Sequence, residues 1–133
     1  MWTQFWDMHS GGGGKEQWTQ IFIEASKDEA KVIFYNRFGH NPDRVTCTCC
    51  GSDYSITEYE TLEQATAYHR GCKFSDEENK YIEEPDDSKY VTHQYMTLEN
   101  FLKEKYVLAI FSSEIKPEEQ VGDIPEQGYV WID

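Results

Sequence analysis

Positive charge is what this chain has least of. Twelve Lys and Arg stand against twenty-five Asp and Glu, a formal net charge of −13. A reader of nucleic acid needs a basic footprint to displace phosphate counterions, so direct nucleic-acid binding is not expected. Long apolar runs are missing as well. Nothing approaches the roughly 20 residues that cross a bilayer, and no membrane span is expected. The start, Met1-Trp2-Thr3-Gln4-Phe5-Trp6-Asp7, has neither a basic n-region nor an apolar h-region, so no secretory leader is expected. Cysteine is absent outside the stretch from Cys47 to Cys72. A disulfide framework spreads its bridges along a secreted chain, whereas this clustering points to reduced thiols in a cytosol.

Aromatic side chains are present in quantity. Phe, Trp and Tyr make up 15% of the 133 residues, which argues against wholesale disorder. The length fits a single domain, 1–133. Trp2, Phe5, Trp6 and Met8, then the glycine loop Gly11–Gly14, then Trp18-Thr19-Gln20-Ile21-Phe22-Ile23-Glu24 read as a hairpin. Ser26-Lys27-Asp28-Glu29 is a capping box, predicting a helix over 27–38 that turns Ala30, Ile33, Phe34 and, at its end, Arg37 or Phe38 to a core and stops at Gly39. A strand is expected over 54–59. Thr61 caps a helix to about Arg70, and Thr97 one to about Lys105. The apolar run Tyr106–Phe111 reads as the central strand, and Gly128–Ile132 as the last one. Strands and short helices alternate without a βαβ rhythm. The expected class is α+β: a small, mostly antiparallel sheet, about three short helices and a zinc-knuckle insertion.

The chemistry concentrates in residues 45–73. Cys47-Thr48-Cys49-Cys50-Gly51 holds a C-x-x-C-G pair, in which two intervening residues let both thiolates converge and glycine permits the tight turn. His69 and Cys72 lie three apart, so at a helix end they face one side. Eighteen residues separate the pairs, within the range of zinc-finger loops. Cys47, Cys50, His69 and Cys72 are therefore candidate ligands of one structural Zn²⁺, with Cys49 as the alternative thiol. A closed Cys3His site leaves no open position for catalysis. The competing interpretation is a set of buried, reduced cysteines. A redox dithiol fits less well, because Gly51-Ser52-Asp53 suits a turn rather than a helix start. Zinc deaminase chemistry would need His-x-Glu and Pro-Cys-x-x-Cys, and neither is present.

Two other stretches invite a functional reading. Asp7, His9, Ser10 and Lys15 flank the glycine loop and are candidate small-ligand or nucleotide contacts. Gly14-Lys15-Glu16 lacks the Ser or Thr of a phosphate loop, which favours a plain hairpin tip. Asp76, Glu77, Glu78, Glu83, Glu84, Asp86 and Asp87 form an acidic run, read as a solvated loop or loose hairpin that offers a phosphate-like face to a basic partner. Trp2, Trp6, Trp18 and Trp131 fit core positions better than a stacking platform.

The opening Met1-Trp2-Thr3-Gln4-Phe5-Trp6-Asp7-Met8-His9-Ser10-Gly11-Gly12 resembles the start of a family of small tailed-bacteriophage proteins of unknown function. Phe34–Pro42, Val45–Gly51 and Ile115–Glu119 resemble it too. The resemblance transfers no catalytic residue. It implies a phage gene product acting in the infected bacterial cytoplasm or in the virion. The resulting expectation is a non-enzymatic accessory protein with a structural zinc that binds and modulates a host protein, such as a basic nucleic-acid-binding enzyme. Anti-defence factors, anti-CRISPR proteins among them, are the obvious class. A ligand-binding protein or enzyme built on the glycine loop, and a minor virion component, are the alternatives.

Overall fold

Alternation along Trp2-Thr3-Gln4-Phe5-Trp6 sends Trp2, Gln4 and Trp6 to one face of a strand and Thr3 and Phe5 to the other, and a core forms on each side. The computed structural model describes residues 1–6, 18–39, 41–47, 54–86, 94–124 and 130–132, with backbone alone for 44–47 and 130–132. Strand β1 (Trp2–Trp6) lies between β2 (Gln20–Ile23) and β4 (Ser55–Tyr59), antiparallel to both. β7 (Val107–Ile110) joins β2 in parallel, which completes a mixed four-stranded sheet of order β4-β1-β2-β7. β3 (Val45–Cys47) pairs in parallel with β8 (Val130–Ile132). β5 (Cys72–Ser75) and β6 (Lys80–Pro85) form a separate antiparallel hairpin. Among the described residues three α-helices accompany them: α1 (Lys27–Phe38), α2 (Leu62–Thr66) and α3 (Leu98–Phe101). The fold is α+β.

Helix α1 covers one face of the main sheet, where Ala30, Ile33 and Phe34 meet Phe5, Ile21 and Ile110. The opposite face packs Trp2, Phe22 and Val107 against Leu62 and Ala65 of α2 and Phe101 of α3. The start of α1 is capped as expected, Ser26 Oγ accepting from the Glu29 N–H at 3.4 Å. A further N–H of the first turn, that of Lys27, is met from outside the helix by the Glu58 carboxylate of β4 at 2.7 Å. Gly39 ends α1 with φ +85, a left-handed conformation that side chains resist.

Three expectations need correction. α2 stops at Thr66 rather than near Arg70. Thr66 Oγ1 bonds back to the Leu62 carbonyl and accepts from Arg70 Nε, and tight turns through Gly71 follow. α3 stops at Phe101, because Lys103 and Glu104 bond three residues back instead of four. β7 sits at the edge of the main sheet, not at its centre. Its apolar run reflects burial on two faces, Ile110 in the α1 core and Val107 in the other. The acidic run, read as a loop or loose hairpin, belongs to the ordered β5–β6 hairpin as far as Asp86.

The C-terminal end of α1 is pinned by a two-pronged ion pair. Arg37 Nε and NH2 reach the two Glu119 carboxylate oxygens at 2.8 and 2.9 Å, and the Lys116 N–H adds a third bond at 3.1 Å. The Arg37 hydrogen bond, with smaller help from Lys116, holds the Glu119 carboxyl down at about 2 against an ordinary 4.5. A depressed carboxylate stabilises the fold above its unfolded value, and that contribution fades as pH falls toward the folded one. With both partners partly solvated, the pair is expected to contribute about 1–2 kcal/mol near neutral pH. Urea unfolding of the wild type and Glu119→Gln should show that gap at about pH 6 and less than half of it at about pH 3. An equal gap at both values would exclude the ion pair as its source.

Candidate functional site

The acidic hairpin is fastened to the body by one buried cation. Arg70 has a side-chain exposure of 0%, yet its guanidinium carries a full charge. NH1 and NH2 fork onto the Glu83 carboxylate of β6, Nε donates to Thr66 Oγ1 at 2.8 Å, and NH2 also donates to the Glu63 carbonyl at 3.0 Å. Burial opposes this charge, and Glu83 offsets the penalty so that Arg70 stays protonated. The Arg70 hydrogen bond in turn lowers the Glu83 carboxyl. Backbone bonds fix the hairpin base as well: the Asp86 N–H donates to the Gly71 carbonyl and the Met96 N–H to the Arg70 carbonyl.

With its base held, the hairpin presents its far end to water. Asp76, Glu77, Glu78 and Glu84 are exposed, while Asp86 is half-buried. Glu83, counted in the same acidic run, has its carboxylate committed to Arg70. Asp87 lies outside the described residues. Lys80 flanks the tip, whose negative character comes from the consecutive Asp76-Glu77-Glu78, while Lys73 and Glu84 stand beside the Cys72–Pro85 pair at the base. Phe74 is 44% exposed and meets Tyr81 edge-on, with ring centroids 5.2 Å apart.

Beside the hairpin base lies a cavity of about 310 Å³ on the α2 face of the main sheet. Strand β1 supplies Gln4 and Trp6, β4 supplies Tyr59, and α2 supplies Gln64 and Ala65. The turn after α2 adds Tyr68 and His69, and β6 adds Tyr81. His69 meets Trp6 edge-on at 4.6 Å and Tyr68 at 5.1 Å. Burial raises the Tyr59 and Tyr81 phenols, so both stay neutral hydroxyls at physiological pH. Sequence reasoning missed this cavity. The available signal was Gln4, an amide placed between Trp2 and Trp6 on a strand face otherwise suited to a core.

The zinc candidates divide. His69 stands in the cavity wall, and Cys72 is buried in β5 with its thiol pushed up by that burial. Cys47 is described by backbone alone at the end of β3, and Cys49 and Cys50 lie outside the described residues. Among the described residues no three His, Cys, Asp or Glu side chains form a metal-binding group. Imidazole and thiol are the donor types that zinc takes, so the described half of the set fits the metal in kind. Asp7, His9, Ser10 and Lys15 lie outside the described residues. No helix among the described residues is long and apolar enough to cross a membrane. Comparison with protein-family models, curated proteins and solved structures finds no match to this chain.

Proposed function

We propose that this protein is a non-enzymatic phage accessory factor that binds and modulates a host protein through its acidic hairpin, with a structural zinc ion held by Cys47, Cys50, His69 and Cys72. Anti-defence action against a host nucleic-acid enzyme is the biological form this reading takes. One observation carries it: the β5–β6 hairpin exposes Asp76, Glu77, Glu78 and Glu84 while Arg70 and Glu83 lock its base. A fixed base removes part of the ordering entropy that binding otherwise loses. Carboxylates on a chain of charge −13 draw a basic groove in and accelerate encounter at low salt. Zinc, when bound, would supply cross-linking of the 45–73 segment rather than chemistry at an open position.

Capture from host lysate tests this with two baits, the wild type and Asp76→Lys/Glu77→Lys/Glu78→Lys. The wild type should retain a basic protein at low salt and less of it at moderate salt. The reversed tip should bind that protein roughly 10–100-fold more weakly. Equal retention by both baits, or retention indifferent to salt, would contradict the hairpin's role.

A further inference from the structure

We infer that the cavity walled by Trp6, Tyr59, Tyr68 and Tyr81 is a receptor for a guanidinium group, the side chain of an arginine presented by the binding partner. Aromatic faces attract a cation through their quadrupole, Trp and Tyr most strongly, and the attraction grows where water is displaced. Among the described residues no Lys or Arg side chain lines this cavity to oppose an incoming positive charge. Lys80 borders an adjoining cavity of about 240 Å³ that shares Tyr59, Gln64 and Tyr81. Against it stand Asp86, whose charge is felt at the Tyr81 phenol, and the exposed Glu60 and Glu63 that flank Tyr59 and Gln64 in sequence.

The polar groups select among cations. Gln4 is only 4% exposed, and its amide N–H donates to Gln20 Oε1 at 3.0 Å. Gln4 brings an amide acceptor to the cavity wall. Gln64 and the neutral phenols add further acceptors. Quaternary ammonium offers no N–H to such acceptors, whereas guanidinium offers five in a plane that also stacks on Trp and Tyr. Anionic nucleotides are disfavoured by the charge of −13.

This inference rests on the partner-binding reading for the source of the arginine, but its test needs no partner. The full-length protein, labelled with ¹⁵N, is titrated with a capped Gly-Arg-Gly peptide and with its lysine and citrulline counterparts. Adenosine serves as a stacking control. The arginine peptide should saturate with shifts at the Trp6 indole and His69, and bind at least about tenfold more tightly than the citrulline peptide. Tyr68 is 50% exposed, so its variants should keep the fold. Tyr68→Ala should weaken the arginine peptide about 2–5-fold, and Tyr68→Lys about tenfold or more. Asp76→Lys/Glu77→Lys/Glu78→Lys should leave these shifts in place. Equal response to citrulline, tighter binding of adenosine, or shifts confined to the hairpin tip would overturn the assignment. A silent cavity with intact host-protein capture defeats this inference alone. Arginine binding with no host protein captured defeats the functional reading alone.

Discussion

Arg70→Ala is expected to remove about 3–5 kcal/mol of stability. The loss has separable sources. The Glu63 and Met96 carbonyls and Thr66 Oγ1 forfeit a charged donor inside the protein, and a large void opens. Glu83, with a side-chain exposure of 52%, turns to water and recovers part of its own hydration. The inverse change, Glu83→Ala, leaves the guanidinium buried without its counter-charge and should destabilise comparably. Arg70→Lys keeps the charge but not the fork and should fall between. For a domain of this size the alanine variants should melt roughly 10–20 °C lower. A drop within a degree or two of wild type would mean that the hairpin is held by something else.

Loss of the proposed zinc is expected to be the second large effect. Protein prepared without chelator is expected to carry about one zinc per chain. Structural zinc binding contributes about 10–16 kcal/mol in small metal-dependent folds, which rivals or exceeds the total stability of about 5–15 kcal/mol of a typical domain. Cys50→Ser and Cys72→Ser should therefore abolish zinc uptake and most of the folding transition, and Cys49→Ser should do much less. Cys72→Ser alone would be ambiguous, because a hydroxyl at a site only 4% exposed destabilises without any metal. Cys50→Ser together with metal analysis removes that ambiguity. Normal melting of all three variants, or protein free of transition metal, would contradict the zinc assignment.

How much of this was readable in the chain depended on whether the cause was local. Helix α1 was legible to the residue because its signals sit inside it: the Ser26 cap, the apolar spacing of Ala30, Ile33 and Phe34, and Gly39. The external cap from Glu58, thirty-one residues away, was not legible, since only tertiary placement creates it. Arg70 was equally hidden. In sequence it is an ordinary charged residue near a helix end, and nothing local announces burial or a partner thirteen positions on. The place of β7 was misread because hydrophobicity reports how many faces of a strand are covered, not how many neighbours it pairs with. The cavity went unread: Gln4 between two tryptophans was the one local signal, and Tyr59, Tyr68 and Tyr81 come from separate elements and converge only in the fold.

The central claim is that the locked acidic hairpin and the cavity at its base form one partner-binding face. Hydrogen exchange on the protein alone and bound to a captured host protein addresses it most directly, because protection reports which backbone becomes covered. The account predicts added protection over residues 72–86 and around Trp6, Tyr59 and Tyr68, lost with the charge-reversed tip. Protection confined to α1 and the Pro117–Glu119 segment, on the far side of the sheet, would contradict it.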